Sequence, residues 1–269
     1  MRLLRWIALM TMTSLSAASA QTPSPEVLHD LAPTGKLRAA INFGNSVLAQ
    51  KGPDGAPRGV SADLAAELAK RLGVPLVYVP FEAAGKVFEG ARQGVWDVGF
   101  IAIEPVRAAE IMFTAPYVII EGTYMVRQDS PLKTIADVDR PGIKMTVGLG
   151  SAYDLYLTRT IKNATVLRAN AGGGTAMIQK FLDEKLDVAA GVRQQLDAYA
   201  KDHPEMRVMS GHFQEIMQAM GMPRVEGQPK AAGLAYLTDY VEQMKANGFV
   251  AEALKRSNQV ADVAPAAKK

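Results

Sequence analysis

The chain has 269 residues, 48% hydrophobic and 21% charged, with a formal net charge of +3 and no cysteine. This composition excludes intrinsic disorder, and the missing cysteine excludes disulfide frameworks, thiolate metal sites and cysteine nucleophiles. Arg2 and Arg5 lie in a segment expected to be removed; setting these two aside leaves +1, so no basic field points to nucleic acid or to acidic membranes.

Residues 1–20 read as an export signal. Arg2 and Arg5 give a positive start, residues 6–15 are mostly apolar, and Ala18-Ser19-Ala20 offers small residues for cleavage before Gln21. An apolar stretch of about ten residues is too short to span a membrane, which leaves a signal peptide or, alternatively, a buried N-terminal helix. In an oxidising export compartment, the lack of cysteine reads as avoidance.

Residues 21–34 carry three prolines and no periodicity, and are expected to be a flexible lead-in. A short strand over 36–42 and a glycine-rich loop over 43–57 follow. Ser61 is placed to cap a helix in which Leu64, Leu68 and Leu72 form one apolar stripe, ended by Gly73 and Pro75. A strand over 74–79, a helix over 86–93 and a buried strand over 97–103 complete a β-α-β-α-β run. Beyond Tyr117 the grammar restarts: strands at 143–149, 165–168 and 186–191, helices at 152–161, 175–184 and 193–201, and a short strand at 207–209. Two helices, near 231–246 and 249–257, close the chain. Two α/β units of roughly 90 residues fit this pattern better than one continuous sheet. The tail 258–269 lacks amphipathic period and is expected to be disordered.

Residues 59–72 (GVSADLAAELAKRL), Trp96-Asp97-Val98 and residues 107–117 (RAAEIMFTAPY) resemble the family-3 extracellular solute-binding proteins, periplasmic polar-amino-acid receptors of ABC importers. That family's order is Gly-Phe-Asp-x-Asp-Leu, a Gly-x-x-Asp turn, then Thr-x-x-Arg followed by Phe-Ser-x-Pro-Tyr. Here Gly59, Asp63-Leu64, Gly94 with Asp97, Arg107 and residues 113–117 follow the same order. Residues 147–151 (VGLGS) resemble the family's second-lobe ligand loop, and residues 185–189 its Gly-x-x-Asp-Ala strand. The resemblance implies a type II periplasmic-binding-protein fold, with two α/β lobes joined by two hinge strands. Lobe 1 would be residues 35–117 with 221–257, lobe 2 residues 123–213, and the hinges 118–122 and 214–220. Ligand would bind between the lobes, outside the carboxyl ends of the strands.

The resemblance gives Arg107 the ligand carboxylate, and its planar guanidinium suits bidentate pairing. The alternative is a surface ion pair, for instance with Glu110. Ser151 begins a helix, where free N–H groups favour an anion; it serves as cap, ligand contact or both. The family's second hydroxyl in this loop corresponds to Ala152, leaving only a backbone donor. The chain also departs from the family. Glu104-Pro105 replaces the usual Ser or Thr three residues before Arg107, and the acid that binds a ligand ammonium corresponds to Val192, with Arg193 next. Glu104 either replaces that acid or simply pairs with Arg107. Asn42 and Asn45, flanking Phe43, stand where Asp and Tyr are common, which suits a neutral polar group over a cation. Phe43 is ligand wall or core; Lys86 and Arg193 are ligand contacts or solvated helix residues. The run Gly172-Gly173-Gly174 lacks a phosphate-loop ending and reads as a turn. Scattered methionines and three histidines carry no metal spacing, so no metal or cofactor is expected.

The leading expectation is a monomeric periplasmic receptor that delivers a small carboxylate-bearing solute, amino acid or amino-acid-like, to an inner-membrane ABC permease. Two rivals share the fold. A cyclohexadienyl-dehydratase-like enzyme would need a general acid, and Glu104 beside Arg107 is the one candidate, although the cation would lower its pKa. A ligand-sensing module is the other.

Overall fold

The computed structural model describes residues 22–170 and 173–268. The export-signal reading of 1–20 therefore lies outside the described residues. In chain order the elements are α1 (Pro25–Leu31), β1 (Leu37–Asn42), β2 (Gln50–Lys51), β3 (Pro57–Arg58), α2 (Val60–Leu72), β4 (Leu76–Phe81), α3 (Ala84–Arg92), β5 (Val98–Ala102), α4 (Pro105–Ala108) and β6 (Ile111–Arg127). They continue with β7 (Lys144–Gly148), α5 (Ala152–Thr160), β8 (Thr165–Ala169), α6 (Gly173–Asp183), β9 (Val188–Val192), α7 (Arg193–Asp202), β10 (Met206–Val208), β11 (Gln214–Pro223), α8 (Ala231–Ala246), α9 (Phe249–Arg256) and β12 (Asp262–Val263).

Two parallel βαβαβ units with the same strand order face each other. In the first, β1 lies between β4 and β5; in the second, β7 lies between β8 and β9, all parallel. The innermost strands, VGFIA of β5 and VAAGV of β9, are buried along their whole length, as apolar runs in doubly covered parallel strands must be. Two long antiparallel strands cross between the units. β11 pairs with β5 and β6, and β6 pairs with β9. Because these crossovers hydrogen-bond to both units, the strands form one continuous path, β4-β1-β5-β11-β6-β9-β7-β8, where the sequence suggested two separate sheets. This is the two-lobed type II architecture, a lobe at either end of the path. The expected hinge segments 118–122 and 214–220 fall inside β6 and β11.

Three expectations need correction. The supposed flexible lead-in forms α1: Ser24 accepts a hydrogen bond from the Val27 N–H, Pro25 opens the helix, and Val27 and Leu31 are buried. Ser61 is no cap. It lies in the first turn of α2 behind Gly59, with its Oγ 3.2 Å from the Tyr117 hydroxyl. The tail is ordered as far as Lys268 and supplies β12, which pairs with Val118 and Ile119 of β6 and buries Ala264. The expected Gly73 stop holds, with φ at +68° after the last turn of α2.

Candidate functional site

The carboxyl ends of parallel strands from both units converge on one cleft. Asn42 ends β1 and Gly44 and Asn45 follow it, Ile101 and Ala102 end β5, and Gly148 ends β7 with Leu149 and Ser151 after it. Ala169 and Asn170 come from β8, Val192 from β9, and Ile216 and Gln218 from β11. The empty volume, counted out through the open mouth, is about 570 Å3.

Arg107 is the charged group of this lining. Pro105 opens the single turn of α4 behind Glu104, and the turn drives Arg107 inward until no side-chain surface remains exposed. Its Nη1 donates to the Ala102 carbonyl at 2.9 Å, and its Nη2 reaches across the cleft to the Gly150 carbonyl at 2.8 Å. Nε is buried with no partner among the described residues. Burial pushes the guanidinium pKa down to about 10, opposed by the nearby Glu104 carboxylate, so the group stays charged at neutral pH.

The facing wall is the start of α5. Ser151 caps it, its Oγ accepting from the Asp154 N–H at 3.0 Å, and the Asp154 carboxylate takes the Gly150 N–H at 2.8 Å. The N–H groups of Ala152 and Tyr153, both in the lining, have no acceptor among the described residues. The helix dipole adds partial positive charge there. Burial raises the Tyr153 phenol to about 12, keeping it neutral.

Among the residues selected from sequence, Arg107, Ser151, Ala152, Asn42 and Asn45 all line this cleft. The two asparagines are buried and oriented by their own backbone: Asn42 Oδ1 accepts from the Gly44 N–H at 3.0 Å, and Asn45 Oδ1 from the Val47 N–H at 3.3 Å. Four selected residues do not line it. Glu104 has 2% of its side chain exposed and pairs with Arg159 of α5 at 2.8 Å, not with Arg107; its other oxygen accepts from Gln214 Nε2. Lys86 pairs with Glu89 at the surface. Arg193 is held by Glu121 and by the Met209 and Gly211 carbonyls, and this pairing lowers the Glu121 pKa. Phe43 packs on the lobe-1 core under Lys51.

The structure adds Asn170, Gln195 and Gln218. Asn170 and Gln195 follow the ends of β8 and β9, so the rule that ligands bind outside the carboxyl ends of parallel strands could have found them. Gln218 sits mid-strand in β11 and carries no sequence signal. Gln195 Nε2 donates across the cleft to the Gly44 carbonyl at 3.2 Å and lies 3.3 Å from Ser46 Oγ.

Two glycine contacts flank the cleft. A Cβ on Gly173 would lie 2.4 Å from Gly44 Cα, and one on Gly150 would lie 2.9 Å from Gly85 Cα. Backbones of the two units approach closely on both sides of the cleft. The glycine run taken as a mere turn therefore has a packing role at Gly173 and at Gly174, whose N–H approaches the Gly44 carbonyl at 3.4 Å; Gly172 lies outside the described residues.

Comparison with known proteins points the same way. The family model of bacterial extracellular solute-binding proteins, family 3, matches residues 45–258. A cyclohexadienyl dehydratase from Pseudomonas aeruginosa is 24% identical over 208 residues, 74% of each chain. The cysteine-binding protein of Campylobacter jejuni superposes with a TM-score of 0.73 at 16% identity, over 88% of this chain and 99% of that one. An ancestral amino-acid-binding protein, described as a precursor of cyclohexadienyl dehydratase, gives 0.70 at 22% identity over 85% and 98%. At these identities the structural likenesses establish the fold.

Proposed function

The chain belongs to the bacterial extracellular solute-binding proteins of family 3, and on that premise we propose that it is an exported periplasmic receptor that captures a small carboxylate-bearing solute and hands it to an ABC permease. The observation that carries the ligand chemistry is Arg107, fully buried, charged, and with Nε unpartnered at the wall of a closed cleft. A buried cation whose nearby carboxylate, Glu104, is itself paired with Arg159 costs several kcal/mol, which a ligand carboxylate offsets in part. The unpaired N–H groups at the start of α5 offer the same anion a second set of donors. Residues 1–20 act as the export signal, and a monomer suffices for this role.

Capture works by bending at 118–122 and 214–220. Arg107 comes from one lobe and the α5 start from the other, so the full anion site exists only when the lobes meet. A ligand that touches both shifts the population toward the shut form. The permease then reads the surface of that form.

The match to a dehydratase supports a second reading, an enzyme acting on a cyclohexadienyl acid. General-acid dehydration needs a proton donor in the cleft. The described lining offers Tyr153, Arg107 and carboxamides, with Glu104 turned onto Arg159, and this favours capture over chemistry. A thermal-shift screen of the mature chain against amino acids, hydroxy acids, dicarboxylates and aromatic acids tests the leading reading. A bound ligand stabilises the native state by mass action, by about 2.7 kcal/mol at a hundredfold excess over Kd, and so raises the midpoint. Phenylpyruvate formed from prephenate, or phenylalanine from arogenate, by purified protein would establish the enzyme instead.

A further inference from the structure

We propose that the cleft selects a monocarboxylate whose other polar groups are hydroxyls or carbonyls, and rejects the zwitterionic amino acid of the same skeleton. This rests on the carboxylate reading above and decides what accompanies the carboxylate. The first ground is charge. Arg107 is the cation of the lining, and no Asp or Glu side chain is among the described residues that line it. The acids nearby are already engaged. Glu104 is paired with Arg159, and Asp154 is shared by the Gly150 N–H, Thr158 and Arg168. Arg107, Glu104 and Arg159 together leave one positive charge, which matches a monoanion. A zwitterion adds a cation without an anion to receive it.

The second ground is hydrogen-bond polarity. Asn42 and Asn45 have their oxygens occupied by backbone N–H groups, which fixes their amide orientation and leaves their NH2 groups as the unpaired donors. Arg107 Nε and the N–H groups of Ala152 and Tyr153 add further unpaired donors, beside the mixed donor and acceptor carboxamides of Asn170, Gln195 and Gln218. An ammonium has three donors and no acceptor, so it meets that wall badly. Hydroxyl and carbonyl oxygens accept there.

Calorimetry of the mature protein at neutral pH against matched pairs tests this: glycolate with glycine, lactate with L-alanine, glycerate with L-serine, and 3-phenyllactate with L-phenylalanine. The oxygen member of each pair that binds is expected to have a Kd about tenfold lower or better than its amino partner. An amino acid that binds equally or more tightly, and loses binding in Arg107→Ala, overturns the inference while leaving the carboxylate reading intact. No binding by either series, or binding unaffected by Arg107→Ala, overturns both. Val192→Glu puts an acid into the lining at a buried position, with Val192→Gln as the neutral control. The Glu variant is expected to shift the amino-to-oxygen affinity ratio toward the amino acid by about tenfold relative to the Gln variant. An unchanged ratio overturns the role given to the missing acid.

Discussion

The two βαβαβ units share a strand order but bring different chemistry to the cleft. The first unit supplies a side-chain cation, Arg107, and two buried carboxamides, Asn42 and Asn45, from the ends of β5 and β1. The second supplies no charged side chain to the lining: it brings neutral polar groups, among them Asn170 and Gln195, and the glycine-flanked start of α5, with partial charge in place of a full one. One topology thus yields a point charge on one side and a diffuse positive end on the other. Neither side alone surrounds an anion, so binding strength is tied to contact between the units.

The largest break in this asymmetry is Arg107→Ala. Removing the first unit's charge should weaken a bound carboxylate by about 2–5 kcal/mol, or about 30- to 4000-fold in Kd by calorimetry. Arg107→Met separates binding from folding. It removes a costly buried cation together with the donors to the Ala102 and Gly150 carbonyls, two opposed effects. The melting temperature without ligand should therefore change little while carboxylate binding is lost. An unchanged Kd in either variant removes the carboxylate assignment.

Contact between the units is tested at Gly173. Its φ is +55° and its Cβ would collide with Gly44 Cα across the cleft. In Gly173→Ala the shut form should lose about 1–3 kcal/mol by overpacking, a drop in affinity of about 5- to 150-fold. Small-angle scattering at saturating ligand concentration should give a larger radius of gyration than the parent protein. Equal affinity and equal radius would show that this contact does not limit closing.

A smaller effect is expected at Arg159. It spans from α5 to Glu104 beside Arg107, but its side chain is 44% exposed, so solvent screens the pair and only part of a buried pair's strength applies. Arg159→Met should weaken ligand by about 1 kcal/mol, about fivefold. Glu104→Gln should leave a simple carboxylate equal or tighter, because it removes a negative charge near the anion. An amino acid that binds the parent protein and loses tenfold or more in Glu104→Gln would instead place Glu104 on its ammonium.

Much of this was legible in the sequence, for physical reasons. Apolar runs such as VGFIA and VAAGV fix buried strands, and Gly73 followed by Pro75 fixes a helix stop. Arg107 was legible through the family resemblance, and its place just after the buried strand β5 agrees with that role. The partner of Glu104 was not legible: Arg159 is 55 positions away, and only the closed arrangement of the units brings them together. Lys86 and Arg193 satisfied their charges on neighbouring acids, which local pattern does not reveal. The opening helix α1 was missed because three prolines outweighed a Ser24-Pro25 start, itself a good capping signal.

The smallest expected effect concerns the other missed element, the tail, which touches both units at the crossover. β12 hydrogen-bonds to Val118 and Ile119 of β6, and the Ala264 N–H donates to the Tyr117 carbonyl at 3.1 Å. Lys245 of α8 donates to the Pro116 and Pro265 carbonyls, while Gln194 of α7 donates to the Val260 carbonyl at 2.8 Å. Little apolar surface is buried: Ala264 is enclosed, but Val260 is 85% exposed. The strand is two residues long, and each of its hydrogen bonds contributes about 1 kcal/mol at most, against the entropy of ordering the tail. Deleting 259–269 should therefore lower the melting temperature by only about 2–4 °C. Ligand affinity is the more telling readout. If the tail bears equally on both units, Kd should stay within about twofold of the parent, a difference under 0.5 kcal/mol. A larger change with the same melting shift would mean that the tail favours one arrangement of the crossover strands, and that the two units are not coupled through β6 and β11 alone.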